Sequence, residues 1–351
     1  MLEIITSDQP EKWDAAVNAI PDSDVYYRLQ YLRAFEVHGD GKPLLMYFTH
    51  NDIKGVCAMM LRDVSEDSRF KGRIAEGEYF DMTTPYGYGG FIFNQTPDTQ
   101  TIAILKDELI KVMLEKGVIS AFFRFHPVLR NTDYHRELLE VIDLGKTIAL
   151  DLESPDVIWA NIISKNRNMI RKAEKSGIEI KTGTGMDLLD KFTEIYNETM
   201  RHDNAEEYYY FKRPFYESID KDLAGRYHVA YAELDGEPIA MSIMIYDGQR
   251  LNYHLSGSRY EFRNLAPSNL LLYKTALWGC EHGYKTFHLG GGVGSGEDNL
   301  YKFKAAFNRN SDYHFAIGRL IINQEKYDKL SSMRTDADFD PNSRFFPLYR
   351  S

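Results

Sequence analysis

Cysteine is nearly absent. Cys57 and Cys280 stand far apart with no CxxC spacing. That excludes a disulfide framework and a cysteine-ligated zinc site; both residues lie in apolar segments, where cysteine serves as a small core residue. No metal is expected. Positive charge is also short: the net charge is -10 over 351 residues. The surface as a whole repels nucleic acid and anionic membranes, so DNA is not expected as a partner, and any polyanion has to find a local basic patch. No stretch approaches the ~18 apolar residues of a spanning helix. The opening MLEIITSDQPEKW has no basic region leading into an apolar core, so it does not read as a signal peptide. Together these absences point to a cytoplasmic protein without a transmembrane segment.

What is present is an ordinary globular balance, 43% hydrophobic and 27% charged residues. The length suggests about two domains. Tyrosine and phenylalanine are abundant, which suits either a packed core or a groove for an extended polar ligand. In the first half, DQPEKWDAAVNAI reads as a helix with Trp13, Val17 and Ile20 on one side, and a second helix covers Leu29 to Glu36. KPLLMYFTH and IKGVCAMMLRDV read as paired strands around Asn51–Asp52, and GRIAEGEYF and GGFIF as further strands. The segment DTQTIAILKDELIKVMLEKG is a strong amphipathic helix, with Ile104, Leu109, Val112 and Met113 on its apolar side and Gly117 as C-cap; ISAFFRF follows as a buried strand.

The second half repeats this logic, a possible duplication of one α/β unit. SPDVIWANIISKNRNMIRKAEKSG reads as one helix, with Ser154 as N-cap, Pro155 at the first position and Gly177 closing it. Trp159, Ile163 and Ile170 make its buried stripe. Three strands follow, joined at Asp235–Gly236 and Asp247–Gly248, both hairpin signals.

Three stretches carry possible chemistry. HLGGGVGSGEDNLYKFKAAF is glycine-rich but fits neither dinucleotide nor P-loop spacing, so it is either a plain turn or a seat for an anion. Lys302 and Lys304, two apart, cannot share one helical face; one can be solvated while the other points at the site. An inward lysine beside glycine backbone offers a cation and N–H donors to a phosphate or a developing oxyanion. The helix from Asn161 onward concentrates Lys165, Arg167, Arg171, Lys172, Lys175 and Lys181 against Glu174 and Glu179. Arg167, Arg171 and Lys175 fall on one face, as a solvated surface or as a phosphate-binding ridge. Finally, TTPYGYGG alternates Tyr86 and Tyr88 on a strand-like segment, so both face one side, either the core or an acceptor groove.

NRNMIRKAEKSGIEI, IYNETMRHDNAEEYYYF and APSNLLLYKTALWGCEHGYKTFHLGGG…LYKFKAAFN, in this order, resemble the FemAB-type branch of the GNAT acyltransferase superfamily. TTPYGYGG, FRFHP and the closing FFPLYR resemble acetyltransferase-like relatives of that branch, so the likeness runs from about residue 75 to the end. The resemblance implies an α/β fold with mixed sheets: a first GNAT-like domain over 1–148, a second over 149–314, a cleft between them, and a segment 315–351 packing back on the first. The long helical hairpin of some cell-wall members has no counterpart here. The resemblance also implies an acyltransferase that moves an acyl or aminoacyl group to an amine of a cell-wall or cell-surface precursor, from aminoacyl-tRNA or acyl-CoA, with no tightly bound cofactor. Carried over by position, Lys304 matches a lysine implicated in transfer. Arg201 matches an arginine associated with substrate phosphate, and Arg167 and Arg171 match the basic helix opening the second domain.

Two departures bear on substrate. An acyl-CoA pyrophosphate would sit on the turn from Arg263 to Ser268, but Ala266 crowds that turn and Pro267 has no N–H to give. The first-domain strand ends in His126–Pro127 rather than Asp-Pro, and a histidine there is a base, an anion contact or a structural group. If the attacking amine needs a base, Asp81, His126 and His254 are the candidates. Tyr86, Tyr88, His126 and Tyr209 are the remaining candidate substrate contacts. The non-enzymatic alternative is a GNAT-like module that holds a polar glycan or peptide among Tyr86, Tyr88 and Tyr208 to Tyr210 without chemistry.

Overall fold

The structure is a computed structural model that describes residues 1–337 and 339–351. The chain opens with β1 (Leu2–Thr6), α1 (Pro10–Asn18) and α2 (Leu29–His38), then β2 (Lys42–His50), β3 (Ile53–Asp63), β4 (Phe80–Thr83), β5 (Ile92–Phe93), α3 (Thr99–Glu115) and β6 (Val118–Arg124). After β7 (Glu140–Asp151) come α4 (Pro155–Asn161), α5 (Ser164–Lys175), β8 (Glu179–Gly183), α6 (Met186–His202), α7 (Arg213–Asp222) and β9 (Tyr227–Leu234). Next are β10 (Glu237–Asp247), β11 (Arg250–Ser258), α8 (Pro267–Glu281), β12 (Thr286–Gly290), α9 (Asn299–Ala305), β13 (Tyr313–Ile321) and α10 (Gln324–Ser332). These elements form two compact units: Met1–Leu144 with Ala316–Ser351, and Gly145–Phe315.

The first unit carries strands in the order β1-β2-β3-β4-β6-β13, with β5 on β3. Its pairs are antiparallel except β4 with β6. The hairpin between β2 and β3 turns at Asn51, whose φ of 52° is one that asparagine tolerates. Helix α3 begins where the Asp98 carboxylate accepts the Thr101 N–H at 2.8 Å, and ends before Gly117 at φ 71°. It buries Ile102, Leu105, Leu109 and Met113 against the sheet, while Ile104 and Val112 only flank that stripe. The anticipated strand GRIAEGEYF is a strand only from Phe80, because Gly72 and Gly77 take positive φ and turn the chain. A second cluster packs Tyr327 and Leu330 of α10, together with Tyr349, onto Val64, Phe70 and Ile119.

The second unit orders its strands β7-β12-β11-β10-β9-β8. The β9–β10 hairpin turns at Asp235 and Gly236, with φ of 53° and 87°. Helix α8 lies on this sheet and buries Leu270, Leu271, Leu272 and Ala276. The single helix anticipated from Ser154 to Gly177 is two. Ile162 and Ile163 are extended, and the Ile163 N–H donates to Ala306 O at 3.1 Å instead of continuing the helix. In this extended link Ile162, not Ile163, is buried with Ile170. Among the described residues, no helix is long and apolar enough to cross a membrane.

Candidate functional site

Lys304 defines the site in the second unit. The chain leaves β12 through the glycine loop and re-enters helix at α9, so Lys304 stands one turn beyond that helix's start, back toward the loop. Lys302 is exposed, while Lys304 is only 8% exposed. Its Nζ donates to Gly291 O at 2.7 Å and lies 6.0 Å from the centre of the Tyr253 ring. Burial pushes the ammonium down to about 8, with the charge of Asp298 opposing the shift. Beneath it, the Tyr253 hydroxyl hydrogen-bonds with Ser256 and Ser242, and burial raises its pKa.

The register of β10 with β11 slips between Ile243 and Met244, so His254 is the extra residue of a bulge. Burial drives its imidazole down to about 3, too weak a base to collect a proton near neutral pH.

The other site residues of this unit fall in three places. Arg167 and Arg171 lie over the Trp159 ring, at 5.9 and 5.2 Å, on the solvent side of α5. Arg201 is exposed in the last turn of α6, next to His202. His202 stacks on Tyr260 at 4.4 Å, Arg263 sits over the same ring at 4.5 Å, and the three line a shallow hollow with Glu198, Thr199, Asp203 and Ser258. Ser268 occupies the first turn of α8. Ala266 there is left-handed at φ 58°, and the N–H groups of Asn269 and Leu270 turn back to Ala266 O. Lys172 covers the preceding turn by donating to Asn264 O, and Asn269 Nδ2 donates to Asn166 Oδ1 at 2.6 Å. Tyr209 is half-buried in a short turn before α7, edge-on to Tyr208 at 5.3 Å.

In the first unit the structure brings Tyr86, Tyr88 and His126 into one aromatic cluster, but not on a strand. Residues 84–88 are irregular; Tyr86 stacks on Phe35 at 5.7 Å, and Tyr88 lies 5.5 Å from both the Tyr26 and the His126 rings. The glycines serve this packing: a Cβ on Gly87 would stand 2.4 Å from the Tyr26 ring. His126 is buried. Its Nδ1 accepts the Leu129 N–H at 3.3 Å, so Nε2 carries the proton and donates to Asp24 Oδ2 at 2.8 Å. Both ring nitrogens are thus engaged inside the protein, which corrects its reading as a base or substrate contact.

Asp81 is corrected likewise. It is fully buried; burial alone would raise its pKa, but Arg62 at 2.6 Å and Arg350 hold the carboxyl below its ordinary range. A carboxylate committed to two guanidiniums is not available as a base.

Asp298 and Tyr253 were not singled out in the sequence. An aspartate directly before the helical NLYKFK run is an N-cap signal that would have found the first. Among the described residues, no cluster of His, Cys, Asp or Glu could hold a metal ion.

The two α/β units are similar in fold to solved tandem GNAT structures. Residues 162–304, ending at Lys304 itself, match the family model described as Acetyltransferase (GNAT) domain. The crystal structure of FemX is similar over 94% of this chain and 99% of its own, with a TM-score of 0.69 at 15% identity. The C-terminal DUF2156 domain of an Agrobacterium fabrum protein named for lysylphosphatidylglycerol synthesis is similar over 90% of this chain and 92% of its own, with a TM-score of 0.55 at 14% identity. A tandem GNAT protein from the clavulanic acid biosynthesis pathway has a TM-score of 0.51 at 9% identity, covering 92% of this chain and 99% of its own. No curated protein matches the chain. The chain thus has a fold like that of FemX, and residues 162–304 of its second unit match the GNAT domain model.

Proposed function

We propose that the protein is a FemAB-like N-acyltransferase that transfers an acyl or aminoacyl group to an amine of a cell-wall or cell-surface precursor in the cytoplasm. The observation that carries this reading is the buried ammonium of Lys304 held against the glycine loop. An amine attacks the carbonyl carbon of an activated ester or thioester. As the new C–N bond forms, the carbonyl oxygen gains negative charge, and a cation in a dry site stabilises it. With a pKa of about 8, Lys304 is roughly nine-tenths protonated at pH 7. Collapse of the intermediate breaks the C–O or C–S bond and expels the donor's alcohol or thiol, which takes the proton that the attacking nitrogen gives up.

Among possible donors we favour an aminoacyl ester such as aminoacyl-tRNA over acyl-CoA. A pyrophosphate needs free N–H groups at a helix start. At α8, Pro267 has none, and the next N–H groups after Ser268 are turned back to Ala266 O. The names of FemX and of the lysylphosphatidylglycerol relative support an acceptor at the cell envelope. Arg201, Tyr209 and the basic face of Arg167 and Arg171 are the proposed substrate contacts in this unit, and Tyr86 and Tyr88 those in the first.

The test is a transfer assay with charged tRNA or acetyl-CoA as donor and a nucleotide-linked cell-wall precursor as acceptor, read by mass spectrometry. Lys304→Ala should lower turnover about 100- to 1,000-fold, the usual effect of removing an oxyanion donor. Undiminished turnover removes Lys304 from the chemistry. Tight binding without product supports the non-catalytic module instead.

A further inference from the structure

The glycine loop between β12 and α9 is held by one side chain at its far end. Asp298 Oδ1 accepts the Tyr301 N–H at 2.8 Å and caps α9, while Oδ2 accepts the Val293 N–H at 3.2 Å from inside the loop. The loop's composition is fitted to that carboxylate. A Cβ on Gly292 would lie 2.3 Å from Asp298 Oδ1 and 2.3 Å from Gly296 O, so only glycine lets the chain pass. The outer turn is also constrained: Gly296 N–H donates to Val293 O at 3.2 Å, and a Cβ on Gly145 would stand 2.0 Å from Ser295 O. At the loop's near end, Lys304 bonds Gly291 O. Helix α9 therefore grips the loop twice, through its cap and through its last turn.

We propose that Asp298 is the positioning residue of this site: it clasps the glycine loop to α9, so that Gly291 and Lys304 are held in register. The inference rests on the reading of Lys304 as the oxyanion-stabilising cation. Asp298 has a second effect through its charge. The groups that face the ammonium are Tyr253 from β11, whose raised pKa keeps it neutral, and Asp298 from the loop. Burial favours neutral Lys304, and Asp298 favours the charged form. Without Asp298 the lysine loses its proton at lower pH, and charge stabilisation is lost earlier as pH rises.

The experiment measures the lysine and the loop directly, in the full chain. Lys304 is titrated by carbon NMR of protein labelled at lysine Cε, its signal assigned by its loss in Lys304→Ala. Amide exchange of the loop is followed by mass spectrometry. Asp298→Asn keeps one cap oxygen and removes the charge; it should move the Lys304 titration to lower pH and pull the alkaline limb of the transfer rate the same way. Asp298→Ala should shift the titration similarly and speed exchange across Val293 to Tyr301 on the order of fivefold to tenfold, the scale of a lost cap. Asp298→Glu should restore the titration toward the parent value while leaving exchange fast. An unchanged titration together with unchanged exchange in the Asn and Ala variants overturns the proposal. A shifted titration in an enzyme whose turnover ignores Lys304→Ala supports the clasp and overturns only the oxyanion reading.

Discussion

Arg350 in the first unit and Lys304 in the second are cations that their surroundings push in opposite directions. Arg350 in the first unit loses water, which would weaken its hold on the proton, but Asp81 and Asp67 reverse that and raise its pKa. Lys304 in the second unit also loses water, and its direct partner is a neutral carbonyl, so its pKa falls to about 8. The contrast separates two uses of buried charge. A cation met by carboxylates is locked and serves the fold. A cation met by a dipole stays chemically poised, which is why perturbed groups gather at working sites. The same distinction holds among the candidate bases, since His126 and Asp81 are each committed to an ionisable partner.

The strongest way to break the comparison is to unpair the first unit. Asp81→Asn leaves Arg62 and Arg350 facing a neutral group, and removing one partner of a buried pair costs about 3–5 kcal/mol. The expected outcome in urea denaturation is a loss of that order. The pH dependence has a definite sign. Because the folded-state pKa of Asp81 is depressed, its contribution is present above the ordinary carboxylate value and is lost as pH falls through the folded value. Asp81→Asn should therefore flatten part of the acid limb of the stability curve. A variant as stable as the parent would mean the pair is no more locked than Lys304.

The second unit makes the opposite prediction on the alkaline side. Lys304 falls from 10.5 to about 8 on folding, so between those values the unfolded chain binds the extra proton. Stability should rise with pH across that window, by roughly 3 kcal/mol for a shift of this size. Lys304→Met removes the titrating group. The difference between parent and variant should then shrink or turn in the parent's favour from pH 8 upward, whatever the other lysines and tyrosines do in common. A constant difference across the window would show that the ammonium is not desolvated.

Much of the second unit's site was legible from local pattern. Lys302 and Lys304 had to diverge, and they do. The Asp235–Gly236 turn and the Ser154 cap follow from the conformations those residues prefer, and the chain adopts them. What was not legible depends on partners distant in sequence. The helix from Ser154 breaks because Ile163 finds Ala306, and no periodicity near residue 163 carries that information. Tyr86 and Tyr88 look strand-like until Phe35 and Tyr26 claim their rings. Asp81 looks like a free acid until Arg62 and Arg350 meet it. The glycines of TTPYGYGG are also set by distant partners: Gly87 makes room for the Tyr26 ring.

The smallest expected effect concerns a third kind of cation, exposed and resting on a ring. Arg171 lies 5.2 Å over Trp159 and donates to Asn168 Oδ1 at 3.3 Å at the surface of α5. A cation–π contact in water contributes about 0.5–1 kcal/mol, so Arg171→Ala should lower stability by no more than that. Tryptophan fluorescence would report the uncovered ring. If the donor is aminoacyl-tRNA, the same variant should raise KM for the donor with kcat unchanged, and reduce the salt dependence of binding by roughly one phosphate contact. A contact made equally in the bound donor and in the transition state leaves the barrier from the complex unchanged. A fall in kcat as large as that of Lys304→Ala would move Arg171 into the reacting centre, and exposure would then cease to distinguish the cation that binds from the cation that stabilises the oxyanion.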